Sequence, residues 1–381
     1  MITLLGMKIN PYAGVYKRAI ELFEAGYYNE AFSKLEVIIK NDYENFKANY
    51  YIAECYFLGK GTKKDYNLAF DNYSIAASNK HLESVYMVGY CYEFGLGTSK
   101  DEIQMISRYT QAAKAGHSLA QYRLGLCYKN GNGVEKNLSI ASTYFLNAAK
   151  SGLVDAQREG AMCFEEINQP TAAATLYLAA AEQNDPYSCY KIGSFYERGY
   201  GCEKKYELAM HFYITAATLG NEDAILVIAN KYKKGIGLEK SITTALSWWD
   251  KIIDVNPIAQ IEVAICYLNG YGVNQDKNKG ISLLKKSANQ KNPDACILLA
   301  KICEQDENEE TKKDYVKWLL KATEYDSVKA MFLLGQYHEN KHNIKECYRW
   351  YSMAATLEYA PAIEAIKKYK KTIFGNIKYK N

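Results

Sequence analysis

Three stretches of this 381-residue chain carry residue types that do chemistry. His338-Glu339-Asn340-Lys341-His342 spells H-E-x-x-H, which on a helix puts two imidazoles on one face around a zinc ion, with the glutamate as general base. Gly95-Leu96-Gly97-Thr98-Ser99-Lys100 has the glycines and lysine of a phosphate cradle. Cys55, Cys91, Cys127 and Cys163 recur every 36 residues, a regularity that in a secreted chain would read as a disulfide framework. The surroundings speak against each. A phosphate loop follows a strand and carries a third glycine at fixed offset, and neither is present. Cysteines recurring at one repeat position lie in a row like small core residues, which suits a reducing compartment and a cytoplasmic location.

The positions these residues occupy are set by a repeat. Gly-x-Gly occurs at 59/61, 95/97, 131/133, 199/201, 235/237 and 270/272. Alanine pairs keep step with it at 76–77, 112–113, 148–149, 180–181, 216–217 and 354–355. Together they mark nine units, starting at Lys47, Glu83, Leu119, Asp155, Tyr187, Asp223, Ile258, Asp294 and Lys329. Each unit reads as two helices: apolar residues at helical spacing, a Gly-x-Gly turn, then a helix with an aromatic three residues before the alanine pair. Those aromatics are Tyr73, Tyr109, Phe145, Tyr177, Tyr213, Trp249 and Tyr351. No segment alternates with period two, so the fold class is all-α. His338 falls where other units have Tyr56, Tyr92 and Tyr128, at the end of the first helix, which leaves His342 in the turn. A third zinc ligand would have to come from Glu358 or Glu364.

The pattern Ala-x-x-x-Leu-Gly-x-x-Tyr-x-x-Gly-x-Gly, followed by Tyr-x-x-Ala-Ala, resembles the SEL-1-like repeat, most closely over residues 120–149. Residues 12–46, with Gly26-Tyr27-Tyr28-Asn29-Glu30-Ala31, resemble a tetratricopeptide repeat. The resemblance implies a right-handed α/α superhelical solenoid of helix-turn-helix repeats. Residues 1–46 would hold one tetratricopeptide-like helix pair, 47–360 nine SEL-1-like repeats, and 361–381 a capping helix, over 361–372, and a basic tail. It also implies a scaffold without catalytic residues or cofactor, with a concave wall lined by the first helix, here A, of each repeat. Some secreted relatives are described as β-lactamases, which directs attention to Ser188–Lys191 and Ser282–Lys285 as Ser-x-x-Lys. Neither Ser-Asp-Asn nor Lys-Thr-Gly accompanies them.

Charge narrows the partner. The net is +4, and six lysines against Glu364 in residues 361–381 account for all of it, so the body is near neutral. Lysines far outnumber the six arginines. Neither feature suits specific nucleic-acid reading. No apolar run is long enough for a transmembrane segment. The expected partner is a protein or peptide, and a homodimer through a solenoid end is the other association the architecture offers. Within each repeat, the residue after the glycine of Leu-Gly varies freely, and in three adjacent repeats it is apolar: Tyr90, Leu126 and Met162. These are expected to face solvent as a recognition strip bordered by Phe94 and Tyr187, with Glu93, Lys129 and Glu165 as a polar rim. A non-catalytic adaptor is the reading the chain supports. A metal-dependent hydrolase using His338 and His342 is the alternative.

Overall fold

Asn45, His81, His117, Asp185, Asn221, Asn256, Asn292 and Ser327 each turn a side-chain acceptor onto a backbone amide two or three residues ahead, and an α-helix begins directly after each. Asp65, Asp101, Asn137, Ser241, Asp276 and Asn343 do the same for the second helix, B, of their repeats. The computed structural model describes residues 3–4, 7–8, 12–305, 309–371 and 377–379.

After a short hairpin of β1 (Thr3–Leu4) and β2 (Met7–Lys8), helices follow one another to residue 366. They are α1 (Ala13–Glu24), α2 (Tyr28–Asn41), α3 (Phe46–Leu58), α4 (Tyr66–Ser78), α5 (Leu82–Phe94), α6 (Glu102–Lys114) and α7 (Ser118–Asn130). Next come α8 (Leu138–Ala149), α9 (Val154–Glu166), α10 (Pro170–Ala181), α11 (Pro186–Arg198), α12 (Tyr206–Thr218), α13 (Glu222–Lys234) and α14 (Ile242–Trp249). The last are α15 (Pro257–Asn269), α16 (Lys277–Asn289), α17 (Pro293–Glu304), α18 (Glu309–Thr323), α19 (Val328–Asn340), α20 (Ile344–Thr356) and α21 (Ala360–Ile366). A second hairpin, β3 (Tyr369–Lys371) with β4 (Ile377–Tyr379), follows. The terminal helix therefore stops at Ile366, and residues 369–371 are extended where the helical pattern had been read to 372. Among the described residues no helix is long and apolar enough to cross a membrane. The acidic run Glu304-Gln305-Asp306-Glu307-Asn308-Glu309-Glu310, which stands where other repeats have Gly-x-Gly, includes residues 306–308, which lie outside the described residues.

The chain divides into two compact units, residues 1–212 and 213–381. In the first, Ala48, Ser84, Ala120, Ala156 and Ser188 occupy one repeated position near the start of the A helices and are fully buried. In the second unit the same position holds Ala224, Ala259, Ala295, Ala330 and Ala362, again fully buried. Ala362 marks α21 as a shortened A helix. No larger side chain fits where the helices meet this closely.

The two glycines of each Gly-x-Gly do different work. The first is the left-handed C-cap of helix A, with φ between 68° and 83° at Gly59, Gly95, Gly131 and Gly199. The second is also left-handed, and it presses on the helix before it: a Cβ at Gly61, Gly97 or Gly201 would overlap the carbonyl oxygen of Tyr28, Tyr66 or Pro170, the first residue of the preceding B helix. Where the glycines are missing, Asn168 and His342 take the left-handed angle, at φ 57° and 55°. Each described B helix outside α14 and α2 runs into another left-handed residue. It is glycine at 116, 152 and 220 but Lys80, Asn184, Lys291, Asp326 and Glu358 elsewhere.

Two substitutions test these assignments by urea or thermal unfolding. Gly97→Ala should destabilise by roughly 3 kcal/mol, since strain at φ +71° and overlap with backbone act together. Lys291→Gly should stabilise by about 1 kcal/mol, because the exposed lysine contributes little and a left-handed L-residue costs about that much.

Candidate functional site

The A helices of the first unit stand side by side, and each is locked to its own B helix by one aromatic ring. Tyr73, Tyr109, Phe145 and Tyr177 are fully buried. The ring of Tyr109 lies on Gly89 and that of Phe145 on Gly125, so tightly that a Cβ on either glycine would meet ring carbon at 2.8 and 2.6 Å. The buried phenol oxygen of each tyrosine needs an acceptor. Tyr109 donates to Glu93 at 2.5 Å, Tyr177 to Glu165 at 2.9 Å, and Tyr73 to Glu54. Burial first, then these carboxylates, push the three phenols far above the usual tyrosine range.

Two of these carboxylates are then paired across to the next A helix. Arg123 Nη1 lies 3.2 Å from Glu93, and Lys191 Nζ 2.8 Å from Glu165. Between them the ring is Phe145, with no hydroxyl, and both signs reverse: Lys129 Nζ lies 2.6 Å from Glu159. The second unit repeats the rule independently. Trp249 goes with Lys233, whose Nζ sits 5.9 Å from the ring centroid and 2.6 Å from Glu262. Tyr351 donates to Glu339 at 2.6 Å, and Lys368 lies 3.3 Å from the same carboxylate. The type of ring on helix B thus sets the sign of charge on the A-helix wall. Sequence reading missed this network. Its signal is a run of opposite charges about 30 residues apart (93/123, 129/159, 233/262) rather than at the repeat length.

This changes the standing of the expected strip. Tyr90, Leu126, Met162 and Tyr187 are each half-buried. Leu126 packs on the cluster of Ala141, Phe145 and Cys163, and Tyr90 sits 6.3 Å from both Phe57 and Tyr86, ring to ring. Tyr187 lies 6.2 Å from the Tyr177 ring. Glu93, Lys129 and Glu165 are inter-helix ties rather than a free polar rim. What stays open is Phe94, 42% exposed, with its ring 4.6 Å from that of Tyr90, and Leu58, 43% exposed, at the same position of the preceding helix α3. The Arg123 guanidinium covers both rings, 5.4 Å from the Tyr90 centroid and 5.6 Å from that of Phe94.

The other sequence candidates are absorbed by the scaffold. Helix α19 ends at Asn340 and His342 is left-handed in the turn, so His338 and His342 do not share a helix face. Glu339, the base of the motif, is taken by Tyr351, Lys368 and Tyr369, the last at 2.9 Å. Burial works against its ionisation, but these bonds outweigh it and hold the carboxyl below its usual range. Among the described residues no group of three His, Cys, Asp or Glu side chains is arranged to hold a metal. Ser188 fills a fully buried small position and Lys191 is held by Glu165, while Ser282 and Lys285 lie exposed on α16. The amides of Gly95 and Leu96 both donate to Cys91 O, leaving neither for a phosphate. Burial pushes the thiols of Cys55, Cys91 and Cys127 up to about 12, so they stay protonated and inert.

The charge rule is testable by double-mutant cycle. Lys129→Glu sets two carboxylates against each other and should lower stability by about 1–2 kcal/mol in urea unfolding; adding Glu159→Lys should recover most of it.

The family model for the Sel1 repeat matches residues 46–81, 82–117, 118–153, 186–221, 224–254, 257–292 and 328–359. The pairs α9–α10 and α17–α18, which lack Gly-x-Gly, fall outside these matches. Among solved structures, a protective antigen of uropathogenic Escherichia coli displaying an SLR fold is 27% identical, with a TM-score of 0.73, covering 88% of this chain and 73% of that one. A Sel1 repeat protein from Oxalobacter formigenes is 26% identical with a TM-score of 0.51, covering 63% and 96%. Protein sel-1 homolog 2 of Homo sapiens is 34% identical over 92 residues, which is 24% of this chain and 13% of that protein's length. With seven matched repeats spanning more than half of its length and an all-α solenoid built from these helix pairs, the chain belongs to the Sel1 repeat family.

Proposed function

We propose that this chain is a non-catalytic adaptor holding a protein or peptide partner on the A-helix wall of its first unit. Repeats of this family generally serve as protein-interaction scaffolds, which supports the class of function but names no partner. The observation that carries the reading is the pair Leu58 and Phe94, left open on successive A helices, with Phe94 beside a guanidinium that Glu93 already pairs. Aromatic side chains and arginine are enriched at the cores of protein interfaces. Tyr90, Leu126 and Met162 form the floor behind them, and Tyr187 its border. The Glu93, Lys129 and Glu165 ties hold the floor in register. A peptide laid on this wall meets Phe94 first.

A photo-crosslinking amino acid at position 94 should trap one defined protein, whereas the same group at Ile140 on helix α8 should not. The mass of the product separates a foreign partner from a second copy of this chain. Leu58→Ser with Phe94→Ser should leave the melting temperature nearly unchanged, since exposed substitutions move stability by about 0.5 kcal/mol or less each. Affinity for the trapped partner should fall at least about tenfold. Unchanged affinity, or crosslinking only from Ile140, would move the binding face elsewhere.

A further inference from the structure

Eight A helices are capped by a side chain at one repeated position, and at two of them the cap is an imidazole. Asn45, Asn221, Asn256 and Asn292, with Asp185 and Ser327, accept the amide through oxygen. At the start of α5 the acceptor is His81 Nδ1, 3.3 Å from the Ser84 amide nitrogen and 2.9 Å from the Ser84 hydroxyl. Asparagine oxygen accepts at every ordinary pH. Imidazole nitrogen accepts only while it has no proton.

We infer that His81 makes the joint between α3 and α5 acid-sensitive, opening the first turn of α5 when its ring takes up a second proton. The ring is seated between the two helices, 4.6 Å from the Tyr50 ring and 5.9 Å from that of Phe46, both on α3. On protonation the Ser84 hydroxyl can rotate to accept from Nδ1–H. The Ser84 amide cannot; it is left pointing at an N–H, and a positive charge sits at the positive end of the helix. The charges facing the ring are Lys47, from the first turn of α3, and Glu83, from α5 itself. Glu83 is already engaged, its carboxylate 2.9 Å from His117 Nε2. His117 has the same cap geometry on α7, at 3.1 Å from the Ala120 amide, but its other nitrogen is clamped on Glu83, so the inference is confined to His81.

The direction of the pH effect follows. Burial, chiefly, lowers the proton affinity of His81 in the folded chain; Glu83 opposes this and Lys47 adds to it. A group whose folded pKa is depressed contributes stability that is present above its unfolded value of about 6.5 and is lost as pH falls through the folded one. The joint is therefore closed at neutral pH and loosens in mild acid. It lies on the helix that carries Tyr90 and Phe94, but neither the device nor its test depends on a partner.

The test is hydrogen–deuterium exchange of the full chain at pH 7.5 and pH 5.0, each amide normalised to its intrinsic rate. Protection of the first turn of α5 should fall about fivefold more than that of the first turn of α13, which Asn221 caps, fivefold being the worth of one cap. In His81→Asn, which installs the side chain other repeats use here, the excess should vanish while protection at pH 7.5 is kept. Equal falls at α5 and α13, or an excess that survives in His81→Asn, would overturn the inference.

Discussion

In three repeats helices A and B meet where an aromatic ring on one packs against a glycine of the other, which has no side chain to hold it off. Gly89 under Tyr109, Gly125 under Phe145 and Gly335 under Tyr351 are the same contact made three times. The closeness of the ring excludes any larger residue beneath it. Where the ring carries a hydroxyl, as at Tyr109, Tyr177 and Tyr351, the oxygen needs an acceptor among the side chains around it. A carboxylate meets it, and at Glu93 and Glu165 a cation of the next A helix, Arg123 or Lys191, meets the carboxylate in turn. Packing inside one repeat therefore dictates charge between repeats.

The backbone carries a second constraint, independent of the first. At Gly61, Gly97, Gly133, Gly201 and Gly272 the loop rests its second glycine on the opening turn of the preceding B helix, so the loop that ends one A helix also covers the start of the helix before it. Repeats without the loop manage the corner with Asn168 or His342 in the left-handed region. The histidine of an apparent zinc motif is there explained by the corner it turns. Glu339, beside it, is explained by the phenols that converge on it.

Much of this was legible in the sequence because periodicity reports positions where every repeat needs the same thing. The glycines, the alanine pairs and the buried rings of Tyr73 through Tyr351 are of that kind. Positions solved differently in each repeat were misread. Tyr90, Leu126 and Met162 vary with their neighbours, as Tyr90 does with Phe57 and Phe94, and variation was taken for freedom from the scaffold. The pairs Glu93–Arg123 and Lys129–Glu159 escaped notice because their sign alternates and their spacing falls short of the repeat. At the C-terminus, helical spacing continues past Ile366, but strand pairing of 369–371 with 377–379 prevails and brings Tyr369 onto Glu339.

The alternation of sign along the first unit also bears on how such a chain can grow. Tandem arrays lengthen when one repeat is copied beside itself. Here a copy of residues 119–154 inserted next to the original would set Lys129 against a second Arg123, cation to cation, because its proper partner Glu159 belongs to the following repeat. A copy of residues 83–118 would leave Glu93 opposite a second Met87, with the Tyr109 hydroxyl still bound to a carboxylate that has lost its counter-charge. Neighbouring repeats of this protein are alike in shape yet not interchangeable, and a duplication that preserved the wall would have to carry a matched donor and acceptor together.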